Sequence, residues 1–541
     1  MKKLTFLILS LLLASASYAK VVNSTQAGEV AVRFASSRRA QVTGVKQVSA
    51  MGRQGTAYYV VNLQPKGWCI VSADDVATPI LGYSLSGQLN VARIPDNMQG
   101  ILDEYDSEIH KLTAKVSTPH RLWSDGFVTT RATGNVVEPL IQVNWNQSSP
   151  YNKYCPKGEA LVGCVAVSMS QAMSVQRYPA RPTGKVSFAC ANYGGMSINF
   201  SEQMAYNWED ILSGANNKDE VARLLYHAGM SVKMDYGTDG SGIPSNEVSR
   251  ISEALKNNFS YPSDVTYLWR SQYDGDWDQL LINELVAGRA IVYNAIDTKN
   301  SAGHSFNLDG YDGSGHFHVN WGWGGTGNGY FNLDGLRDKA MNMDYDAYHV
   351  AVIGIGAPDQ TFRSISLSHT QIEEGLPAGS VVGSISVNGS TSLGAYQLEA
   401  HGTYDSKTDS YKTVPFKVEN GMLVTTEVLN AATASWNVEL TVSDPETGES
   451  LTQGFKVTVN AWKSLEQTTS LVYDRATRTF SISTKHNVSY QILDANGAVI
   501  RQGTLNTLPE LTLTPADYTS DVIALKMTCA DESKTWYIKT K

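Results

Sequence analysis

Hydrophobic and polar positions along the chain change period several times, and each change marks an element. Tyr58-Tyr59-Val60-Val61-Asn62-Leu63 is a run of β-branched and aromatic residues. Gly67-Trp68-Cys69-Ile70-Val71-Ser72 follows as its hairpin partner across Gln64-Pro65-Lys66. From Met98 to Lys115 the period is helical, with Ile101, Tyr105, Ile109 and Leu112 on one face. Val116-Ser117-Thr118-Pro119 breaks that helix. Asp125 to Val137 has turn formers and no strong period, which predicts a linker. Residues 20–135 are therefore expected to form one small α+β unit.

Beyond the linker the pattern is mixed. Gly163 to Met173 is a helix of small residues. Asp219 to Ala228, Asn246 to Asn257 and Trp277 to Val286 each place apolar residues on one helical face. From Ala290 the period shortens to that of strands: Ala290–Tyr293, His304–Leu308, His316–Asn320, Gly329–Leu333 and Tyr348–Ile355. Turn signals such as Asp312-Gly313 lie between them. Helices first and an antiparallel sheet second predict an α+β domain over 136–357. From 358 to the end, alternating strands recur at short intervals with Gly, Asn and Asp turns, as in β-sandwiches. A boundary near Asn460-Ala461-Trp462 divides this part into modules of 358–461 and 462–541.

The first residues set an expected compartment. Lys2 and Lys3 precede an apolar run from Leu4 to Leu13, and Ser17-Tyr18-Ala19 supplies the small residues that a signal peptidase reads. Residues 1–19 are thus expected to be a signal peptide cleaved after Ala19, giving a protein that is secreted or held at the cell surface. The apolar run is too short to span a bilayer, and no later stretch is long enough for a transmembrane segment. With 541 residues, 42% of them hydrophobic, several cores can be filled. A net charge of −9 and the absence of any basic cluster exclude a nucleic-acid partner.

Five cysteines, Cys69, Cys155, Cys164, Cys190 and Cys529, are scattered along an exported chain. An odd, dispersed set is not a disulfide framework. They are either small buried apolar residues or include one kept for its chemistry. Cys164 begins the helix in Gly163-Cys164-Val165-Ala166, where unpaired first-turn N–H groups and the helix dipole favour thiolate. His304, in Ala302-Gly303-His304-Ser305-Phe306, lies 140 residues downstream and supplies an imidazole to accept the thiol proton. Asn320 and Trp321, in Val319-Asn320-Trp321-Gly322-Trp323-Gly324-Gly325, can orient that imidazole and shield the bond from water. Cys, then His, then Asn at this spacing is the papain-type order.

These segments, together with others, resemble the streptopain family of secreted bacterial papain-like cysteine proteases, including the interpain-type enzymes. The resemblance covers about residues 20–357. It is carried by Trp68-Cys69-Ile70-Val71-Ser72-Ala73-Asp74 and Ile80-Leu81-Gly82-Tyr83-Ser84, by Asn146-Gln147-Ser148-Ser149-Pro150-Tyr151-Asn152, and by Met234-Asp235-Tyr236-Gly237. The Cys164, His304 and Asn320 segments complete it, the last as His318-Val319-Asn320-Trp321-Gly322-Trp323-Gly324-Gly325. The resemblance implies a papain-like core of two subdomains over 136–357 and an inhibitory pro-domain over 20–135, with Cys164 as nucleophile and His304 as general base and acid. It further implies Gln147 as oxyanion stabiliser, Asn320 and Trp321 as the residues around the imidazole, and Ser241 and Gly303 as backbone positions that hold the peptide. An apolar residue next-but-one upstream of the cut bond is also implied. The loop from Gln147 to Cys164 is shorter than the family's, and the Ser241 region carries an insertion, so substrate preference stays open.

The implied product is a zymogen of a cysteine endopeptidase with no cofactor. Its partners would be protein or peptide substrates and its own pro-domain, with maturation cleavage in the 125–137 linker near Arg131. His316 and His318 lack a third ligand and read as structural. Asp309 and Asp312 read as turn formers. Residues 364–460 resemble a cadherin-like module without its calcium pattern. Residues 463–541 resemble a terminal sorting domain, which would engage outer-membrane secretion machinery. Two other classes remain at this stage. One is a catalytically silent binding or adhesion protein, and the other is a different thiol acyl-transferase.

Overall fold

The computed structural model describes the whole chain except residues 1–18, 126–134, 298–301, 334–346, 359–360, 363, 462–464, 475, 485–487, 506–510, 519–520, 530–531 and 541. The expected signal segment and the linker containing Arg131 therefore lie outside the described residues, apart from their margins. The chain divides into two compact units, Met1–Thr361 and Phe362–Lys541.

The strands of the first unit are β1 (Gly44–Met51), β2 (Tyr58–Gln64), β3 (Trp68–Ser72), β4 (Ile80–Ser84), β5 (Lys185–Cys190), β6 (Gly194–Asn199), β7 (Thr266–Trp269), β8 (Ile291–Asp297), β9 (Ala302–Tyr311), β10 (Phe317–Asn320), β11 (Gly329–Phe331) and β12 (Ala347–Ile353). Its helices are α1 (Ser24–Ser37), α2 (Asp96–Lys115), α3 (Leu122–Asp125), α4 (Cys164–Gln176), α5 (Trp208–Ser213), α6 (Ala215–Ser231), α7 (Ser249–Phe259) and α8 (Trp277–Val286). The expected β2–β3 hairpin pairs Tyr58 with Ser72 and Asn62 with Trp68. Helix α2 starts at Asp96, just after Pro95, and buries Ile101, Tyr105, Ile109 and Leu112 as its spacing predicts.

Ten of these strands form one sheet in the order β1-β2-β3-β4-β11-β10-β9-β8-β12-β7. The four N-terminal strands continue directly into the sheet of the following domain. The seam is antiparallel, with Tyr330 opposite Tyr83 and Phe331 opposite Gly82. Hydrophobic patterning fixes which face of a strand is buried, but it does not fix which strand lies beside it. The shared sheet is therefore a structural finding. Helices α4, α6 and α7 pack on one face of the β8–β12 region and enclose a core that includes Met169, Leu225 and Leu255. On the other face α2 and α8 enclose a second core in which Trp68 and Ile101 lie with Phe306, Trp321 and Phe331. A third core holds α1 against the outer strands through Phe34, Val61 and Val71.

The second unit contains two β-sandwiches. In the first, the sheet of Ile365–Leu367, Val381–Val387, Met422–Thr425 and Phe416–Glu419 faces one built on Ser435–Ser443 and Ser450–Asn460. Ile385, Leu423, Leu440 and Val457 fill the space between them. In the second, Thr479–Thr484 and its neighbours lie against a sheet of four strands ending in Val522–Cys529 and Glu532–Lys539. Its core contains Ile482, Leu513, Leu525 and Met527. The protein is thus α+β over the first unit and all-β over the second.

Candidate active site

Cys164 is the first residue of α4. Its predecessor Gly163 has φ of 90°, and a Cβ there would lie 2.8 Å from Met234 Cε and 3.0 Å from the Ser241 carbonyl oxygen. Only glycine fits both the conformation and the space. Gly163 offers no side chain to cap the helix, so the first-turn N–H groups stay open. The backbone groups of Ser305, Val165 and Cys164 itself act to lower the thiol's pKa. Burial nonetheless outweighs them and pushes the half-buried Cys164 thiol up.

Helix α4 presents one stripe to β9. It starts at Cys164, the first residue of the helix. Ser168, one turn on, has its Oγ 2.7 Å from Ser305 Oγ. After a further turn, Gln171 Oε1 accepts from Asn307 Nδ2 at 3.0 Å. This stripe brings the start of α4 to the start of β9, where His304 immediately precedes Ser305. The two residues placed together by sequence reasoning, Cys164 and His304, are thus on adjoining elements at the same level. Gly303 pairs with Ile296 on β8, directly before the imidazole.

Ser241 joins the site from the other side of Gly163. Its carbonyl oxygen would stand 3.0 Å from a Cβ at Gly163, while its Oγ donates to Leu161 O at 2.7 Å. Gln147 lies beside the same segment, its carbonyl accepting from the Val162 N–H at 3.0 Å. Asn320 is opposite Asn307 on β10. Its Nδ2 donates to Val143 O at 3.1 Å. Its Oδ1 accepts from Gln171 Nε2 at 3.2 Å and from the Gly322 N–H at 3.1 Å. The oxygen that the resemblance assigns to the imidazole is therefore held by Gln171 and Gly322 in this state. Trp321 is buried, its ring 4.8 Å from Phe306 and 5.1 Å from Phe331.

Two participants escaped the sequence reading. Asn97 lies in the first turn of α2, buried, and its Nδ2 donates to Trp321 O at 2.6 Å. One turn on, Gly100 faces the imidazole: a Cβ at Gly100 would stand 3.8 Å from His304 Cδ2. The helix of the N-terminal domain therefore lies directly on Trp321 and His304. The second is Gln171, fully buried between Asn307 and Asn320.

His316 and His318 are committed to carboxylates. His318 Nδ1 is 2.6 Å from Asp309 Oδ1, and His316 Nδ1 is 3.1 Å from Asp312 Oδ2. The expectation for Asp309 is corrected: it is fully buried inside β9, not in a turn, and its Oδ2 accepts from the Ile141 N–H at 3.0 Å. Asp312 does shape the turn after β9, accepting from the Ser314 N–H at 2.7 Å. It also accepts from Arg38 at 2.9 Å and Tyr83 at 3.0 Å, both N-terminal-domain residues. Cys69, Cys155, Cys190 and Cys529 are buried free thiols. Among the described residues no group of three or more His, Cys, Asp or Glu is arranged to hold a metal ion.

Comparison with known proteins places these features in context. The Peptidase C10 family model matches residues 145–331, which hold every candidate site residue, and the Spi protease inhibitor model matches residues 19–109. Streptopain of Streptococcus pyogenes is 29% identical, over 62% of this chain and 91% of its own. The thiol protease/hemagglutinin PrtT of Porphyromonas gingivalis is 30% identical, over 60% of this chain and 41% of its own. Among solved structures, prointerpain A of Prevotella intermedia is 26% identical, with 58% of this chain and 99% of that one covered and a TM-score of 0.48. Active interpain A from the same organism is 30% identical, with 41% and 96% covered and a TM-score of 0.36.

Proposed function

The chain belongs to the Peptidase C10 family and is a cysteine-type peptidase; from that premise we propose that it is the secreted zymogen of an endopeptidase whose nucleophile is Cys164. In this reading His304 takes the Cys164 thiol proton, and the thiolate attacks the carbonyl carbon of the scissile peptide. The oxyanion that forms is met by the Cys164 backbone N–H and the Gln147 side chain. The imidazolium returns its proton to the amine as the C–N bond breaks, leaving an acyl-enzyme. Water, deprotonated by the same imidazole, attacks the thioester carbonyl and restores the thiol. Asn320 and Trp321 orient and cover the imidazole, and Ser241 and Gly303 hold the substrate backbone.

The observation that carries this reading is the 2.7 Å contact of Ser168 Oγ with Ser305 Oγ, which brings the start of the Cys164 helix to the strand that bears His304. Residues 20–135 act as the inhibitory pro-domain. One feature supports that role: Asn97 and Gly100 lie on Trp321 and His304. Cleavage in the 125–137 linker followed by departure of α2 would free the site. Residues 358–461 and 462–541 serve as trailing β modules, the last engaging secretion machinery.

Wild-type protein and Cys164→Ala, each expressed as the full chain, test the proposal by gel analysis and casein hydrolysis. The expected result is self-shortening and casein cleavage by wild type alone, both abolished by a thiol-directed inhibitor. Casein cleavage by Cys164→Ala, or no cleavage by wild type freed of its pro-domain, would overturn it. The second outcome would favour a silent binding protein.

A further inference from the structure

Gln171 is fully buried, seven residues after Cys164 on the same face of α4. Its carboxamide is the centre of a buried amide network. Oε1 accepts from Asn307 Nδ2 at 3.0 Å. Nε2 donates to Asn320 Oδ1 at 3.2 Å and to Val143 O at 3.4 Å. One side chain therefore ties the helix of Cys164 to the strand of His304 and to the strand of Asn320.

A carboxamide oxygen has two lone pairs. Both of those on Asn320 Oδ1 are engaged here, one by Gln171 and one by the Gly322 N–H at 3.1 Å. For the imidazole to donate to this oxygen, it must share a lone pair with one of these donors. The Gly322 N–H is fixed by the local chain, two residues from Asn320. Gln171 Nε2 carries two hydrogens, one for Asn320 and one for Val143, and its side chain can shift where that backbone N–H cannot. Gln171 can keep its bond to Val143 while sharing Asn320 Oδ1 with the imidazole. Throughout, Asn320 Nδ2 stays anchored on Val143 O at 3.1 Å, so the amide cannot flip.

We propose that Gln171 is a positioning residue for the reaction: it holds the Asn320 carboxamide oxygen in place while the pro-domain is bound, and keeps a shared hold on that oxygen when the His304 N–H joins it as the site assembles. The inference rests on the reading of Cys164, His304 and Asn320 given above. It adds a residue that acts only through Asn320 and touches neither substrate nor the reacting atoms.

The test compares wild type with Gln171→Met and Gln171→Glu, each matured as the full chain. Active-site titration, kcat, KM and pH–rate profiles are measured on each. Met keeps the length and volume and removes both polar ends. The expected result is a fall in kcat of about tenfold, the scale of one well-placed hydrogen bond, with KM changed less than about twofold. The limb of the pH profile that reports the imidazole should move. In Gln171→Glu a protonated carboxyl can donate to Asn320 Oδ1 and an ionised one cannot. Its activity relative to wild type should therefore be several-fold higher (about threefold or more) at about pH 5 than at about pH 8. Folded, matured variants with wild-type kcat and unmoved limbs would overturn the proposal. Failure of both variants to fold would overturn it too, because it would assign Gln171 to the core alone. Failure of the underlying reading is distinguishable, since it shows in the wild-type arm and in Cys164→Ala.

Discussion

At the scale of single residues, the chemistry turns on which polar groups meet Cys164, His304 and their neighbours. Asn97 gives the sharpest prediction at this scale. Its bond to Trp321 O, at 2.6 Å, is made inside the seam between the pro-domain and the protease domain. Asn97→Ala removes the donor and leaves a buried carbonyl unpaired, a loss of about 1–3 kcal/mol. The variant is expected to mature about tenfold faster than wild type or more, read as the rate at which the shortened chain appears on a gel. An unchanged rate would remove Asn97 from the inhibitory contact. Cys164 and His304 were legible because their chemistry is rare and their spacing is characteristic. Gln147, Asn320 and Trp321 were legible only with the family's motifs beside them. Asn97 and Gln171 were not. An amide within a helical stretch has no sequence mark that separates a buried, bonded group from a solvated one. The helix start at Cys164 was legible, but burial by surrounding chain is a tertiary property, and it raises the thiol's pKa against the pull of the nearby backbone groups.

At the scale of elements, the pro-domain is held by a strand seam, by α2 and by one buried charge cluster. Asp312, in the turn between β9 and β10, accepts from Arg38 just past α1, from Tyr83 on β4, and pairs with His316. Burial pushes the Asp312 carboxyl up, but His316, Arg38 and the Ser314 N–H outweigh it and hold the group well below the usual carboxylate range. A depressed folded-state pKa contributes stability that is present above the ordinary value, about 3.9 for Asp. That contribution is lost only as pH falls through the folded-state value. Acidification from about pH 7 to pH 5 is therefore expected to leave this tie intact. Arg38→Ala should lower the stability of the full chain by about 1–3 kcal/mol, measured by denaturant unfolding at neutral pH, because Asp312 keeps His316. Asp312→Asn should flatten the loss of stability below about pH 4. Loss of the Arg38 contribution already at pH 5 would contradict the account. The β2–β3 hairpin, α2, α4 and α8 were legible from period alone. Helix α1, β1, β7 and the β5–β6 hairpin were not read. Nor was the pairing of Gly82 with Phe331, because side-chain period carries no information about partners so distant in sequence.

At the scale of the whole molecule, chemistry and trailing modules belong to separate compact units. Every candidate site residue lies in Met1–Thr361, and Phe362–Lys541 is built of two sandwiches with cores of their own. The broad class of each part was legible, since strand alternation with frequent turns reads as all-β and mixed periods read as α+β. The central claim is that one sulfur among five thiols is the nucleophile and that the N-terminal domain keeps it from reacting. The most direct measurement incubates the full chain, before and after maturation, with an epoxide inhibitor of cysteine proteases and maps the adduct by peptide mass spectrometry. The account predicts a single adduct on Cys164, formed only after the pro-domain has been removed. It predicts none on Cys69, Cys155, Cys190 or Cys529, all of which are buried. An adduct on another cysteine that abolishes proteolysis, or active enzyme whose Cys164 stays unlabelled while activity is lost, would contradict it.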